Sequence, residues 1–384
     1  MKKKLLILAT LLITTVNFAG TKEDFEKAYE KYETTKNVEQ LEKDLLEIVK
    51  AKTDHYTISS KFDLAKIKII QKKNDEARKY INEILADKVV SADGIKMAKT
   101  LLYSIEENYD KKMKLLSELI ALDPKDLSLQ IEMLKELSVK KDNVKFDKLY
   151  KEYVKKISKD EKVKASFDVN LIKELLGQSQ FSNADKIIKP YFTSKNNELK
   201  ALANYYTAIS KFEQKDVKSA VKYSDLASKL SKELDADIEN FAYLLAIENK
   251  EYDKALKKLI VIKNITKDKS VFFELISLAE VLNKKELVES TMKEFRAILD
   301  ENQNKHLNDT LSKLFLSDKM FELAEKYAKK TLTEDKNPEG HLVLAVIYAN
   351  LNKKEDALKN VREAISKKVD GAVEVEKQIL ENLK

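Results

Sequence analysis

Three histidines, His55, His306 and His341, and 65 acidic residues are the side chains of this 384-residue chain with the means to hold a metal or move a proton. A zinc site built on a helix needs its ligands at tight spacings, as in HExxH. The three histidines stand far apart, and none lies in such a motif. No cysteine is present, which excludes thiol nucleophiles, disulfides and an acylated lipoprotein anchor. A serine triad requires a histidine base held by a carboxylate, and nothing local marks any Ser for that role. Phosphate cradles need clustered glycines, whereas Gly20, Gly94, Gly177, Gly340 and Gly371 are scattered. The many Glu and Lys neighbours at helical i, i+4 spacing read as surface support of helices. The expectation is a protein that is not an enzyme, with no metal and no cofactor.

Other side chains must therefore carry the function, and the elements that position them are legible in the composition. Gly (5) and Pro (3) are rare, hydrophobic residues make up 43% and charged residues 36% of the chain. That is the profile of an all-α protein with enough apolar surface to bury a core. Near the end, HLVLAVIYANLNKKEDALKNVREAI places Leu344, Ala345 and Tyr348 on one helical face and Ala357, Val361 and Ala364 on another, across a short polar break. Two amphipathic helices joined so closely form an antiparallel pair. Similar pairs recur around Leu41, Ala77, Lys112, Leu149, Ala184, Ala220, Ala255, Val288, Ala324 and Ala357, at intervals of 33 to 37 residues. The pentapeptide LNKKE occurs at Leu282 to Glu286 and again at Leu351 to Glu355, each time at the turn between the two helices of a pair. A helix pair repeated at this period is the mark of an α-solenoid.

On these positions the chain resembles the tetratricopeptide repeat family, whose unit is 34 residues long. The family pattern falls on Leu344, Ala345, Tyr348, Ala357, Val361 and Ala364 in the last copy, and ENYDKKMKLLSELIALDP ends the third at Asp123 and Pro124. His341 and Asn204 stand where the family favours a large aromatic, and Lys112 replaces its small residue. The resemblance implies an all-α solenoid, a right-handed superhelix of about ten helix-turn-helix repeats. Small residues such as Ala345 and Ala357 let helices cross closely, and Tyr348, Phe315 and Tyr252 fill the wider gaps. The expected divisions are a signal peptide over 1–19, the array over 20–369 and a capping helix over 370–384, opened by Asp370 and Gly371. In this family the first helices of the pairs line a concave groove for protein partners. Carried over by position, Tyr205, Asn240, Asp309, Lys313 and Asn350 are the candidate protein-binding residues.

The N-terminus, MKKKLLILATLLITTVNFAG, has the charged, apolar and small-residue regions of a secretory signal peptide, with cleavage expected after Ala19. Its apolar run is shorter than the ~20 residues needed to span a bilayer, and no later segment is long enough, so the expectation is export to a periplasm, cell envelope or exterior. Removing its three lysines leaves 69 basic against 65 acidic residues. Only Arg78, Arg296 and Arg362 are arginines, so the chain lacks the planar forks that read phosphates and base edges, and no nucleic acid partner is expected. The reading is an exported scaffold or adaptor that binds protein or peptide segments in envelope assembly or maintenance. The alternatives are a lysine-rich binder of anionic envelope polymers and, less favoured, an envelope hydrolase on a solenoid.

Overall fold

The computed structural model describes residues 21–51, 55–231 and 235–382, so the leader expected over 1–19 lies outside the described residues. These residues are helical throughout, with no strand among them. They fall into two compact units, the first ending at residue 187 and the second beginning at 188.

The first unit pairs α1 (Thr21–Thr35) with α2 (Val38–Ala51), α3 (His55–Ile70) with α4 (Asn74–Ala86), α5 (Ala92–Ile105) with α6 (Tyr109–Leu122), and α7 (Leu127–Val139) with α8 (Asn143–Ile157). A fifth pair, α9 (Glu161–Gly177) with α10 (Phe181–Ile188), follows, and the 3₁₀ turn over Lys189–Thr193 after it belongs to the second unit, where it packs on α11. Pro190 lies in that turn and has no N–H to continue the α-helix, which keeps α10 to 8 residues.

In the second unit α11 (Asn197–Glu213) pairs with α12 (Val217–Leu230), α13 (Ala236–Glu248) with α14 (Tyr252–Thr266), and α15 (Lys269–Val281) with α16 (Lys285–Ile298). A short α17 (Glu301–Lys305) precedes the pair α18 (Leu307–Ser317) and α19 (Phe321–Thr333), and α20 (Glu339–Asn350) pairs with α21 (Lys354–Ser366). The helix α22 (Ala372–Asn382) follows Gly371, whose φ of +77° turns the chain, and it packs on α20 and α21. Within each unit the substantial helix contacts join near neighbours in the chain, the packing of a solenoid.

One device makes the turn inside nine of the ten pairs. Lys36, Lys72, Lys141, Ser179, Lys215, Lys250, Asn283, Lys319 and Asn352 all adopt φ between 53° and 65°. Each stands five residues before a buried residue near the start of the second helix. In LNKKE, Asn283 donates its N–H to the Glu280 carbonyl at 3.0 Å and Lys284 donates to Ala279 at 2.9 Å. Asn352 and Lys353 repeat both bonds onto Ala349 and Tyr348. This is the Schellman closure, which satisfies carbonyls that the helix end would leave bare. The pentapeptide is therefore a helix stop joined to a helix start.

The buried positions confirm the small-residue logic. Ala77, Ala184, Ala220, Ala255, Ala324 and Ala357 are all fully buried, and Ala345 shares one cluster with Ala357, Val361 and Ala364. Two expectations require correction. In the fourth pair the buried residue five after Lys141 is Phe146, while Leu149 is only half-buried; the register expected there was displaced by one helical turn because no small residue marks it. Tyr252 opens α14 with 41% exposure instead of filling a gap, whereas Phe315 is buried against Tyr327 at 5.4 Å between ring centroids. Lys112 keeps its charge at the edge of its position, 2.5 Å from Glu136 and over the Tyr103 ring.

Candidate functional site

The second unit contains all five residues expected to bind protein. α13 begins where Asp235 caps it, its carboxylate accepting the Asp237 N–H at 2.8 Å. Ile238, Glu239, Ala242, Leu245 and Ala246 face inward and are buried. The opposite face carries Asp237, Asn240, Leu244 and Glu248, spaced i, i+3, i+7 and i+11 and all exposed. Phe241 and Ile247 lie half-buried along its edge, and Leu244 is 60% exposed, so the middle of this stripe is apolar and open.

α11 supplies the neighbouring edge. Tyr205 and Phe212 each meet the Phe241 ring edge to face, with centroids 5.9 Å apart. Tyr205 also packs on Tyr206 at 5.0 Å. Burial, and then Asp237 and Asp235, push the Tyr205 phenol up to about 12, so it stays a neutral hydrogen-bond donor at ordinary pH. On the other side, the Tyr243 hydroxyl donates to Glu274 of α15 at 2.5 Å. Tyr205 and Asn240 thus stand on adjacent first helices, Tyr205 against Phe241 and Asn240 on the exposed face it shares with Leu244.

The structure places the other three candidates differently. Asp309 is 4% exposed, and Lys313 lies 2.7 Å from it and 2.6 Å from Glu339 of α20. Burial pushes the Asp309 carboxyl up against the pull of Lys313, while the same ammonium holds Glu339 below its usual range. This trio braces α18 to α20, with Asp309 buried and Lys313 and Glu339 reaching solvent. Asn350 is exposed but donates to its own helix at Val346, 2.8 Å away. Sequence reasoning missed Leu244 and Phe241, since an apolar residue in a helix reads first as core; the signal was the acid at each end of their stripe.

Among the described residues no cluster of three or more His, Cys, Asp or Glu is arranged to hold a metal. His341 is half-buried near Asn360 at 3.5 Å, and His306 shares a hydrogen bond with Asn337 at 3.1 Å. No helix among the described residues is long and apolar enough to cross a membrane.

No family model matches the sequence, and no curated protein is similar to it. Solved structures that this chain is similar to include three helical-repeat proteins. A Naa15/Naa10 complex bound to HypK-THB shares 16% identity over 94% of this chain and 61% of its own, with a TM-score of 0.38. The APC/C hetero-tetramer Cut9-Hcn1 shares 14% over 94% and 77%, with a TM-score of 0.30. PilF of Pseudomonas aeruginosa shares 13% over 57% and 99%, with a TM-score of 0.32. The chain spans about three-fifths of the first of these proteins. Its own helix pairs, turn closures and buried alanines make each unit a tetratricopeptide-like α-solenoid.

Proposed function

We propose that this protein is a non-enzymatic scaffold that binds segments of partner proteins on the first-helix face of its second unit, and that it acts after export, in assembly or upkeep of the cell envelope. The observation that carries the reading is Leu244, an open apolar side chain on the same face of α13 as Asn240, with the half-buried Phe241 at its edge packed on Tyr205. First helices line the concave side in solenoids of this kind, where extended or helical partner segments dock. The leader-like N-terminus supports export.

The polymer-binding alternative draws on the lysines of the second helices. Many of these are already engaged: Lys254 with Asp225 at 2.8 Å, Lys258 with Glu239 at 2.9 Å and Lys326 with Glu280 at 2.6 Å. Partly neutralised lysines make a weaker polyanion surface than their number suggests.

The test is a photo-crosslinking amino acid placed at Asn240 in whole cells, with a second placed at Glu355 on α21 as control. Specific protein adducts from position 240 alone are expected. Adducts of equal yield from both positions, or none from 240, would remove the first-helix face as the binding surface. Fractionation of the cells checks export separately.

A further inference from the structure

The charges of the second unit are sorted between its two layers. Its five first helices, α11, α13, α15, α18 and α20, carry nine acidic against four basic side chains, a net charge of −5. Its five second helices, α12, α14, α16, α19 and α21, carry sixteen basic against ten acidic, a net charge of +6. The first unit shows no such sorting, its first helices balancing at twelve against twelve and its second helices at thirteen basic against twelve acidic. In a lysine-rich chain, acid gathered on one layer is a local property of that layer.

Part of the acid is internal. Glu239, Glu280 and Asp309 are buried with lysine partners. Of the other six acids, Asp237 and Glu248 close the two ends of the apolar stripe on α13, and Glu213 ends α11 next to Phe212, which packs on Phe241. All three are exposed, and among the described residues no ion pair engages any of them. Glu274 on α15 is exposed too and holds only the Tyr243 hydroxyl. An open leucine between unpaired carboxylates is complementary to one kind of segment, an apolar centre with cations on either side.

We infer that the partner segment recognised on this face is basic and apolar, with Leu, Ile or Phe side chains that cover Leu244 and Phe241 and flanking Lys or Arg that meet Asp237, Glu248 and Glu213. This inference rests on the first-helix reading given above and names the class of segment it takes. The apolar contact supplies holding strength, and the carboxylates supply attraction at a distance and rejection of acidic segments.

The experiment uses the full chain and two fluorescein-labelled amphipathic peptides of equal length, with leucines at helical i, i+3, i+4 and i+7 positions and every polar position filled either with Lys or with Glu. Anisotropy titrations are expected to give a preference of roughly tenfold or more for the Lys peptide, which shrinks as salt is raised. Leu244→Arg, at an exposed site, should lower Lys-peptide affinity by about tenfold with unchanged helical circular dichroism. The double variant Asp237→Lys with Glu248→Lys should abolish or invert the preference, while Glu322→Lys with Glu355→Lys on the second helices should leave it in place. Equal affinity for the two peptides, still sensitive to Leu244→Arg, overturns the basic-apolar class and leaves the first-helix reading standing. Absence of binding by either peptide, or binding indifferent to Leu244→Arg, overturns the inference itself.

Discussion

Tyr327 of α19 donates its hydroxyl to Glu280 of α15 at 2.6 Å, so a buried phenol and a buried carboxylate join the eighth and ninth helix pairs. Lys326 completes the cluster at 2.6 and 2.7 Å from the two oxygens of Glu280. Removing the hydroxyl in Tyr327→Phe leaves a buried charge with one donor fewer, and should cost about 1–3 kcal/mol in urea unfolding. A variant as stable as the parent would mean that the bond contributes nothing net.

The same chemistry sets an alkaline limit. Burial pushes up the phenols of Tyr29, Tyr103 and Tyr327, and Asp63, Glu132 and Glu280 push each further. The folded chain therefore holds these protons more tightly than the unfolded chain does. Their stabilising contribution is complete below the ordinary tyrosine value of 10 and is lost as pH rises beyond it. Followed by absorbance at 295 nm, these three phenols should ionise only as helical circular dichroism collapses. One uniform transition with the helices intact would contradict this.

Register in the fourth pair can be checked by truncation. Phe146 is 1% exposed and stacks on Tyr150 at 6.2 Å. Phe146→Ala should cost about 3–5 kcal/mol of the first unit's stability. Leu149→Ala, at a half-buried position, should cost well under half as much. Equal losses would restore Leu149 to the crossing.

Two glycines make opposite forecasts. A methyl group at Gly340 would lie 2.6 Å from the Ala328 carbonyl oxygen and 2.8 Å from Leu332 Cγ, forcing α19 and α20 apart. Gly340→Ala should destabilise by about 1–3 kcal/mol. At Gly177, the last residue of α9, a methyl group meets nothing within 4 Å. Gly177→Ala should stabilise by about 0.4–1 kcal/mol by restricting the unfolded chain. Thermal unfolding of the pair of variants, with shifts of opposite sign, decides it.

Period and pairing were legible because six of the ten pairs place an alanine at the crossing, as at Ala220 and Ala357. Where bulk replaces the small residue, as at Phe146, several apolar residues fit the pattern, and Leu149 one turn further on fits it as well as Phe146 does. The left-handed turn residue would have fixed the register, since it precedes the buried position by five in nine pairs. It is mostly lysine, however, and in a chain with 72 Lys and Arg that carries little contrast. Of the candidate site, Tyr205 and Asn240 could be read from position alone. Asp309 could not, because its burial depends on Glu339 and Lys313 meeting across two helices. Sorting of charge between layers was hidden for another reason: it emerges only when helix boundaries assign each residue to a first or second helix.

Packing between near neighbours has a mechanical side. When the second unit is stretched from its ends, the helix pairs are loaded in series, because among the described residues its substantial helix contacts join near neighbours in the chain. Its extension should then proceed as a staircase, each step releasing roughly 110 Å of contour for a pair of some 34 residues. Such a protein yields gradually under tension, and a partner held across α11 and α13 would lock those two steps together.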